Sequence, residues 1–234
     1  MRYLQRLQSM MNDGDEQSTE RFNRVLQHVM AVNVQLLEPD LLKDALSFLT
    51  GAASWLDTRW RGASDEEEVR RLCEALPEHL VTDIVEPPCF LANMAPRILA
   101  ATPLQELFAF CVTALSHPAR IHSPHLRAKF GDVLFTVFLP PEEHYDYSAR
   151  HHPHDVPHNA PHTAFLLTSP EAQEHLAPSL LLLYGDVEQT GYYDKLSHRI
   201  HIATVLKYLW KSPEHRSTFR RISKDTEGFV RFAN

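Results

Sequence analysis

Three side chains that could carry chemistry fall on one face of a predicted helix: Asp194, His198 and His201. They are four and three residues apart, so a carboxylate and two imidazoles lie on adjacent helical turns. Such a set could bind a metal ion or act in acid–base catalysis. In the simpler interpretation, Asp194 and His198 form a surface pair. His201 then lies at the edge of the apolar face, where a backbone or side-chain partner satisfies its hydrogen-bonding groups. We favour this structural interpretation.

A second group of histidines lies in a proline-rich segment. It comprises His151, His152, His154, His158 and His162. The prolines between them prevent a helix, so residues 140–168 are predicted to form a loop. A flexible, proline-rich segment does not hold ligands in a fixed tetrahedral arrangement, and no cysteine stands beside these histidines. A solvated insertion is therefore favoured over a metal site.

The motifs that usually mark an enzyme are missing from the sequence. We find no nucleophile elbow, glycine-rich phosphate loop, zinc-protease helix or paired cysteine ligands. The three cysteines, Cys73, Cys89 and Cys111, are too far apart in sequence to form a CxxC pair and are interpreted as buried, reduced thiols. We therefore expect no catalytic residue, no cofactor and no metal.

The composition is that of a globular chain with protein partners. Of the 234 residues, 44% are hydrophobic and 23% are charged, which suits a packed domain. No apolar run approaches the ~20 residues that cross a bilayer, and no secretory signal is present, so we expect no membrane contact and a location in cytoplasm and nucleus. The net charge of −7 argues against a nucleic-acid partner. A monomer is expected.

The apolar residues recur mainly at spacings of three and four, and only seven glycines occur, which predicts an all-α fold. The predicted helices are 17–37, 39–60, 64–75, 77–86, 89–100, 103–116, 124–139, 170–184, 191–211 and 213–223. Pro87-Pro88 is expected to separate the fourth from the fifth. Because most connections are short and no sequence period is crisp, an irregular armadillo-like α-solenoid over residues 1–234 is the predicted architecture, with a compact bundle as the alternative.

Helix starts are marked by a hydroxyl residue before proline, because the hydroxyl caps free N–H groups and proline at the first helical position loses no bond. This pattern occurs at Thr102-Pro103, Ser123-Pro124, Ser169-Pro170 and Ser212-Pro213. Ser64 and Glu67 also have the spacing of a capping box.

Helix 191–211 contains an apolar stripe that predicts its buried face. The stripe consists of Leu196, Ile200, Ala203, Leu206 and Trp210. Lys195, His198 and Arg199 lie on the other side, which is predicted to face solvent or a partner. In helix 124–139 the apolar side is likewise assigned to the core, and Arg127 and Asp132 point elsewhere.

Two blocks of the sequence resemble a known family. The first block comprises residues 123–130 (Ser-Pro-His-Leu-Arg-Ala-Lys-Phe) with Val133-Leu134-Phe135. The second comprises residues 186–191 (Asp-Val-Glu-Gln-Thr-Gly), followed by Tyr193-Asp194-Lys195 and 199–202. Both blocks are similar to the core of the U-box ubiquitin chain elongation factors, the "E-four" class. Weaker matches at 76–84 and 36–42 keep the family's order. The chain resembles a fragment of that core without the U-box.

This resemblance implies a scaffold that helps to extend ubiquitin chains on substrates already carrying ubiquitin. The implied partners are ubiquitinated substrates, a ubiquitin-conjugating enzyme held by the missing U-box, and the AAA segregase ATPase valosin-containing protein. Tyr193, Asp194, Lys195 and Arg199 are the candidate partner-binding residues. The chain alone is expected to be inactive. The alternative is a non-catalytic α-solenoid module that binds proteins and has no part in ubiquitin transfer.

Overall fold

A computed structural model of the chain describes residues 16–63, 65–143, 161–189 and 191–224. The described residues form helices and their connections, so the fold is all-α and solenoid-like, as predicted. The helices are α1 Glu16–Leu36, α2 Pro39–Gly62, α3 Glu66–Ala75, α4 Glu78–Met94, α5 Pro96–Ala101, α6 Gln105–Ser116, α7 Pro124–Val133, α8 Phe165–Thr168, α9 Pro170–Asp186, α10 Tyr192–Leu209 and α11 Pro213–Lys224.

The chain divides into two compact units, residues 1–44 and 45–234. In the described part of the first unit, α1 leaves large apolar side chains exposed, among them Met30 and Val34. The prediction that residues 1–234 form a single solenoid segment stays a prediction.

Helix α9 lies at the centre of the second unit, where it packs against α6, α7, α10 and α11. Helix α4 packs against α7 and against the π-helical turn Leu134–Phe138 that continues α7. A cluster of aromatic rings lies between α2, α6 and α7. Phe110 stacks on Trp60 with ring centroids 5.2 Å apart and meets the edge of Phe130 at 5.6 Å. All three rings are buried, so this cluster ties α2, α6 and α7 together.

Ion pairs add to this packing at the end of α2. Arg61 bonds Glu171 of α9 at 2.6 Å and Asp57 at 2.7 Å. It also donates to the hydroxyl of Thr113 in α6 at 2.7 Å. One guanidinium therefore joins three helices of the second unit.

Several predicted helix starts are confirmed by their caps. The hydroxyls of Ser123 and Ser169 accept the backbone N–H groups of Leu126 and Ala172, and Ser212 accepts that of Glu214. Thr102-Pro103 is not a start: α6 begins at Gln105, because the Thr102 hydroxyl donates instead to the carbonyl of Ile98.

The predicted capping box at Ser64 is replaced by a cap one residue later. The Asp65 carboxylate accepts the Glu68 N–H at 2.7 Å and begins α3. Ser64 itself lies outside the described residues.

The predicted break at Pro87-Pro88 is wrong, because α4 continues through both prolines to Met94. Each proline removes one helical hydrogen bond, which disfavours a helix by about 3 kcal/mol or more. The buried side chains Ile84, Val85 and Leu91 flank the prolines and lie where α4 packs against α7. Burial of this apolar surface outweighs the local preference against a helix.

The prediction of a loop over residues 140–168 is wrong at its C-terminal end. Residues 161–164 form a 3₁₀ turn that leads into α8, and Leu166 is fully buried. His162 is buried, with its ring edge-on to Phe138 at 6.1 Å between centroids. Burial lowers the pKa of His162, so this histidine belongs to the core and not to a solvated insertion. His151, His152, His154 and His158 lie outside the described residues.

None of the helices in the described ranges combines the length and the apolar character that a bilayer-spanning segment requires.

Candidate protein-binding surface on helix α10

The buried face of α10 is the reverse of the predicted one. His198, Ile202, Val205 and Leu209, spaced four, three and four residues apart, are buried. Both this set and the predicted stripe have helical spacing, and both contain large apolar residues. The helix therefore has no single apolar side, and periodicity could not identify the side that faces α7 and α9.

The side chains that were predicted to form the core are largely exposed. Leu196 is 56% exposed, Ile200 42% and Trp210 50%, and Ala203 is exposed as well. Trp210 touches the edge of Phe219 in α11, with 5.3 Å between ring centroids. We call the surface formed by Asp194, Leu196, Ile200, Ala203 and Trp210 the outer face of α10.

Asp132 of α7 is the partner of both histidines that the sequence singled out. Its Oδ1 lies 3.1 Å from Nδ1 of His198 and 2.7 Å from Nδ1 of His201, and the ring of Phe135 stacks on His201 at 4.1 Å. A carboxylate only accepts hydrogen bonds, so each imidazole carries a proton on Nδ1. The predicted pair of Asp194 with His198 is wrong. His201 has a partner, as expected, and this partner is the side chain of Asp132.

The environment of Asp132 keeps it ionised. Burial alone would raise its pKa, but the hydrogen bonds from His198 and His201 and the charges of these rings outweigh burial and lower it. The Asp132–histidine cluster thus fastens α10 to α7 through charge-assisted hydrogen bonds.

Substitution of this carboxylate should destabilise the protein in a pH-dependent way. We expect Asp132→Asn to lower the free energy of unfolding at pH 7 by about 1–3 kcal/mol, because a charged acceptor for two imidazoles becomes a neutral one. The pKa of Asp132 is lower in the folded than in the unfolded state, so its contribution is complete above the ordinary aspartate pKa of about 3.9 and disappears as the pH falls through the folded-state value. Denaturant unfolding of both proteins at pH 7 and pH 3 measures this. A gap of equal size at both pH values would contradict it.

The candidate binding residues have different surroundings. Lys195 and Arg199, both half-buried, form ion pairs with the same carboxylate, Glu188, in the 3₁₀ turn before α10. The Arg199 guanidinium also lies 4.8 Å from the ring centroid of Tyr184. Asp194 is exposed, and the side chain of Tyr193 is outside the described set. Lys195 and Arg199 are therefore already bound to a carboxylate of this protein. Of the described candidates, Asp194 is the one that faces solvent without an ion pair of this kind.

A further ion pair joins the two recognised blocks. Arg127, buried in α7, donates to Asp186 at the end of α9 with a distance of 2.7 Å. The polar residues of the blocks, Arg127, Asp132, Asp186 and Glu188, thus hold α7, α9 and α10 in one arrangement. The sequence pattern placed Arg127 and Asp132 away from the apolar side of their helix and gave Asp186 and Glu188 no structural role, although all four residues stand inside or directly beside the blocks that carry the resemblance.

The cysteines are not activated nucleophiles. Cys111 is buried and Cys73 and Cys89 are half-buried, and none of the three forms a disulfide. Burial raises the pKa of each thiol, to about 12 for Cys89. A protonated thiol is a poor nucleophile, so these residues lack the lowered pKa that thioester-forming cysteines need.

Within the described ranges, no group of three histidine, cysteine or carboxylate side chains is arranged so that it could hold a metal ion. The grouping of Asp194, His198 and His201 that the spacing suggested does not form, because Asp194 is exposed while both imidazoles bond Asp132.

Helical packing held by ion pairs and hydrogen bonds between helices defines an all-α, solenoid-like fold. Residues 2–234 match the family described as "Ubiquitin elongating factor core". The chain belongs to this family.

Curated relatives agree with this assignment. The chain is 31% identical over 201 residues to "Probable ubiquitin conjugation factor E4" of Arabidopsis thaliana, an alignment that covers 82% of the chain and 18% of the relative. It is 25% identical to "Ubiquitin conjugation factor E4" of Schizosaccharomyces pombe, covering 87% and 20%, and 23% identical to "Ubiquitin conjugation factor E4 A" of Bos taurus, covering 99% and 24%. The chain thus spans about a fifth to a quarter of these relatives. No solved structure matches it.

Proposed function

We propose that this chain is a scaffold segment of a ubiquitin chain elongation factor that positions a ubiquitinated substrate and a conjugating enzyme for extension of a polyubiquitin chain. The family match over residues 2–234 is the observation that carries this proposal. The ion pairs between α7, α9 and α10 support it, because a scaffold must keep its surfaces at fixed separations. Proximity and orientation of two bound proteins can accelerate transfer without any acid or base on the scaffold.

In this proposal the thioester chemistry belongs to the conjugating enzyme. Burial raises the pKa of all three thiols, so each thiol stays predominantly protonated at neutral pH. The chain therefore contributes position and not a covalent intermediate.

The isolated chain should not transfer ubiquitin. Incubation with activating enzyme, conjugating enzymes, ubiquitin and ATP is expected to give no more chains than the same mixture without it, because the three thiols stay protonated. Gel analysis of ubiquitin conjugates over time provides the measurement. Chain synthesis above the blank would contradict this prediction. Synthesis that is lost in a variant lacking all three cysteines would refute the assignment of the thiols, and synthesis that persists in that variant would show that the chain positions a conjugating enzyme without further domains.

The partner contact is proposed to lie at Tyr193, Asp194, Lys195 and Arg199 and to extend along the outer face of α10. Asp194, Leu196 and Ile200 are exposed, and apolar side chains beside a charge are common at the centre and rim of protein interfaces. Lys195 and Arg199 support this surface by fixing the start of α10 through Glu188.

The wider setting is proposed from the family. The partners are ubiquitinated substrates, a ubiquitin-conjugating enzyme and valosin-containing protein, and the pathway is proteasomal degradation in cytoplasm and nucleus. The printed names of the relatives support ubiquitin conjugation in general.

A further inference from the structure

An apolar cleft of about 330 Å³ lies away from α10, between the end of α2, helix α3, the start of α4 and the segment before α7. Its apolar walls are formed by Trp60, Leu76, Pro77, Val81, Ile121 and Leu126. A second cleft of about 730 Å³ shares Arg70, Arg120 and His122 with the first, so the two meet at these residues. Together they form a groove with space for several residues of an extended peptide.

Two hydrogen-bond donors at this groove lack good acceptors. Nη1 of Arg120 is enclosed and has no hydrogen-bond partner, and none of the ion pairs found in the described ranges engages its guanidinium. The guanidinium lies 5.7 Å from the ring centroid of Trp60. Nε1 of Trp60 is enclosed too, and the Cys73 thiol, a weak acceptor, is the group that faces it. An enclosed donor without an acceptor is unfavourable, so the groove is suited to an incoming acceptor.

None of the ion pairs in the described ranges includes Arg120. Burial lowers the pKa of Arg120, which shows that its guanidinium is partly removed from water. Asp57 is close enough to act on Arg120 electrostatically; its Oδ2 is bound by Arg61 at 2.7 Å, and its Oδ1 forms no hydrogen bond to Arg120. Arg70, the other arginine at the groove, is bound by Glu67. Arg120 is thus the unengaged cation of the groove in the part of the chain that the structure describes.

The surroundings favour a monoanion over a dianion. Glu74 lines the first cleft and Glu67 the second, so a phosphate group with its two negative charges would meet two carboxylates and a single unengaged arginine. A carboxylate carries one charge and matches one guanidinium. The apolar walls beside Arg120 require an apolar group next to that carboxylate.

We propose that this groove binds a peptide segment of a protein partner in which a carboxylate side chain stands next to an apolar one. Arg120 takes the carboxylate, Trp60 donates its indole N–H to the same group, and the wall that includes Val81 and Leu126 encloses the apolar side chain. This site is separate from the outer face of α10, and its test requires neither ubiquitin nor an enzyme.

A random heptapeptide library displayed on phage and selected on the full 234-residue chain tests the proposal. We expect enrichment of peptides in which aspartate or glutamate adjoins a large apolar residue. A fluorescent synthetic copy of the leading peptide is then titrated by polarisation. Loss of a charge-assisted hydrogen bond should weaken binding by about tenfold or more both for Asp→Asn in the peptide and for Arg120→Gln in the protein.

Arg70→Gln is the matched control, since it removes a groove arginine that already has an internal partner, and it should change the affinity far less. If Arg120→Gln lowers the melting temperature, Trp60→Phe replaces it, because an aromatic ring that can stack on Phe110 is kept while the indole N–H is removed. The peptide should also slow alkylation of Cys73, which lines the groove, and leave Cys89 unaffected.

Absence of acidic–apolar enrichment would overturn the proposal, as would equal binding by folded Arg120→Gln or Trp60→Phe protein. Tighter binding when phosphoserine replaces the acidic residue would instead assign the groove to phosphopeptides and would overturn the carboxylate preference.

Discussion

Replacement of Phe110 by alanine should lower the free energy of unfolding by about 3–5 kcal/mol, the usual cost of truncating a buried phenylalanine and leaving a cavity. Phe110 is fully buried, and its ring contacts Trp60 and Phe130 on two other helices. Loss of the ring therefore removes contacts that join α2, α6 and α7. Urea denaturation followed by circular dichroism measures the change.

Phe48→Ala is the matched control, because the same residue type is 74% exposed in α2. It should change the free energy of unfolding by no more than about 0.5 kcal/mol. If the two variants lose similar stability, the aromatic cluster is not the centre of the core.

The second large effect concerns two isoleucines on α10 that are two positions apart. Ile202→Ala should cost about 2–5 kcal/mol, because Ile202 is fully buried and lies close to Gly131 of α7. A Cβ at Gly131 would approach Cγ1 of Ile202 to 3.2 Å, which shows how tightly the two helices pack. Ile200→Ala should cost less than about 1 kcal/mol, since Ile200 is 42% exposed.

The comparison of these variants by thermal and urea denaturation decides which face of α10 is buried. A larger loss for Ile200→Ala than for Ile202→Ala would restore the face that the sequence pattern favoured and would remove the outer face from consideration as a binding surface.

The sequence was informative where local chemistry determines structure. Ser123 and Ser169 begin helices as predicted, because a hydroxyl that caps a free N–H group acts within three residues of itself. The all-α class follows in the same way from apolar spacing. The family was recognisable from short sequence blocks, and the family match over residues 2–234 confirms it.

The sequence was uninformative where distant residues decide. Asp132 is 66 residues from His198, and no local rule links the two. Helix α10 has apolar residues on both sides, so only packing against α7 and α9 identifies the inner face. Likewise, Pro87 and Pro88 signal a break locally, and the burial of the surrounding helix overrides that signal.

His162 shows the same limit in a proline-rich segment. Its composition predicted a loop over residues 140–168, yet contacts with Phe138 bring His162 into the core. Composition describes an average over a segment, and it cannot separate residues 161–168 from those before them.

Whether this chain positions partners for ubiquitin-chain extension can be measured in a chimera. The aligned segment of the Arabidopsis relative is replaced by this chain, or by a flexible Gly/Ser linker, and extension of a ubiquitin chain on a substrate already carrying one ubiquitin is followed by gel densitometry. We expect the chimera to extend chains at a rate comparable to that of the intact relative, the linker version to fail, and the chimera with Asp194→Lys and Leu196→Ser to be slower. Equal extension by the linker version and the chimera would contradict the claim, because a segment that a flexible linker can replace positions nothing.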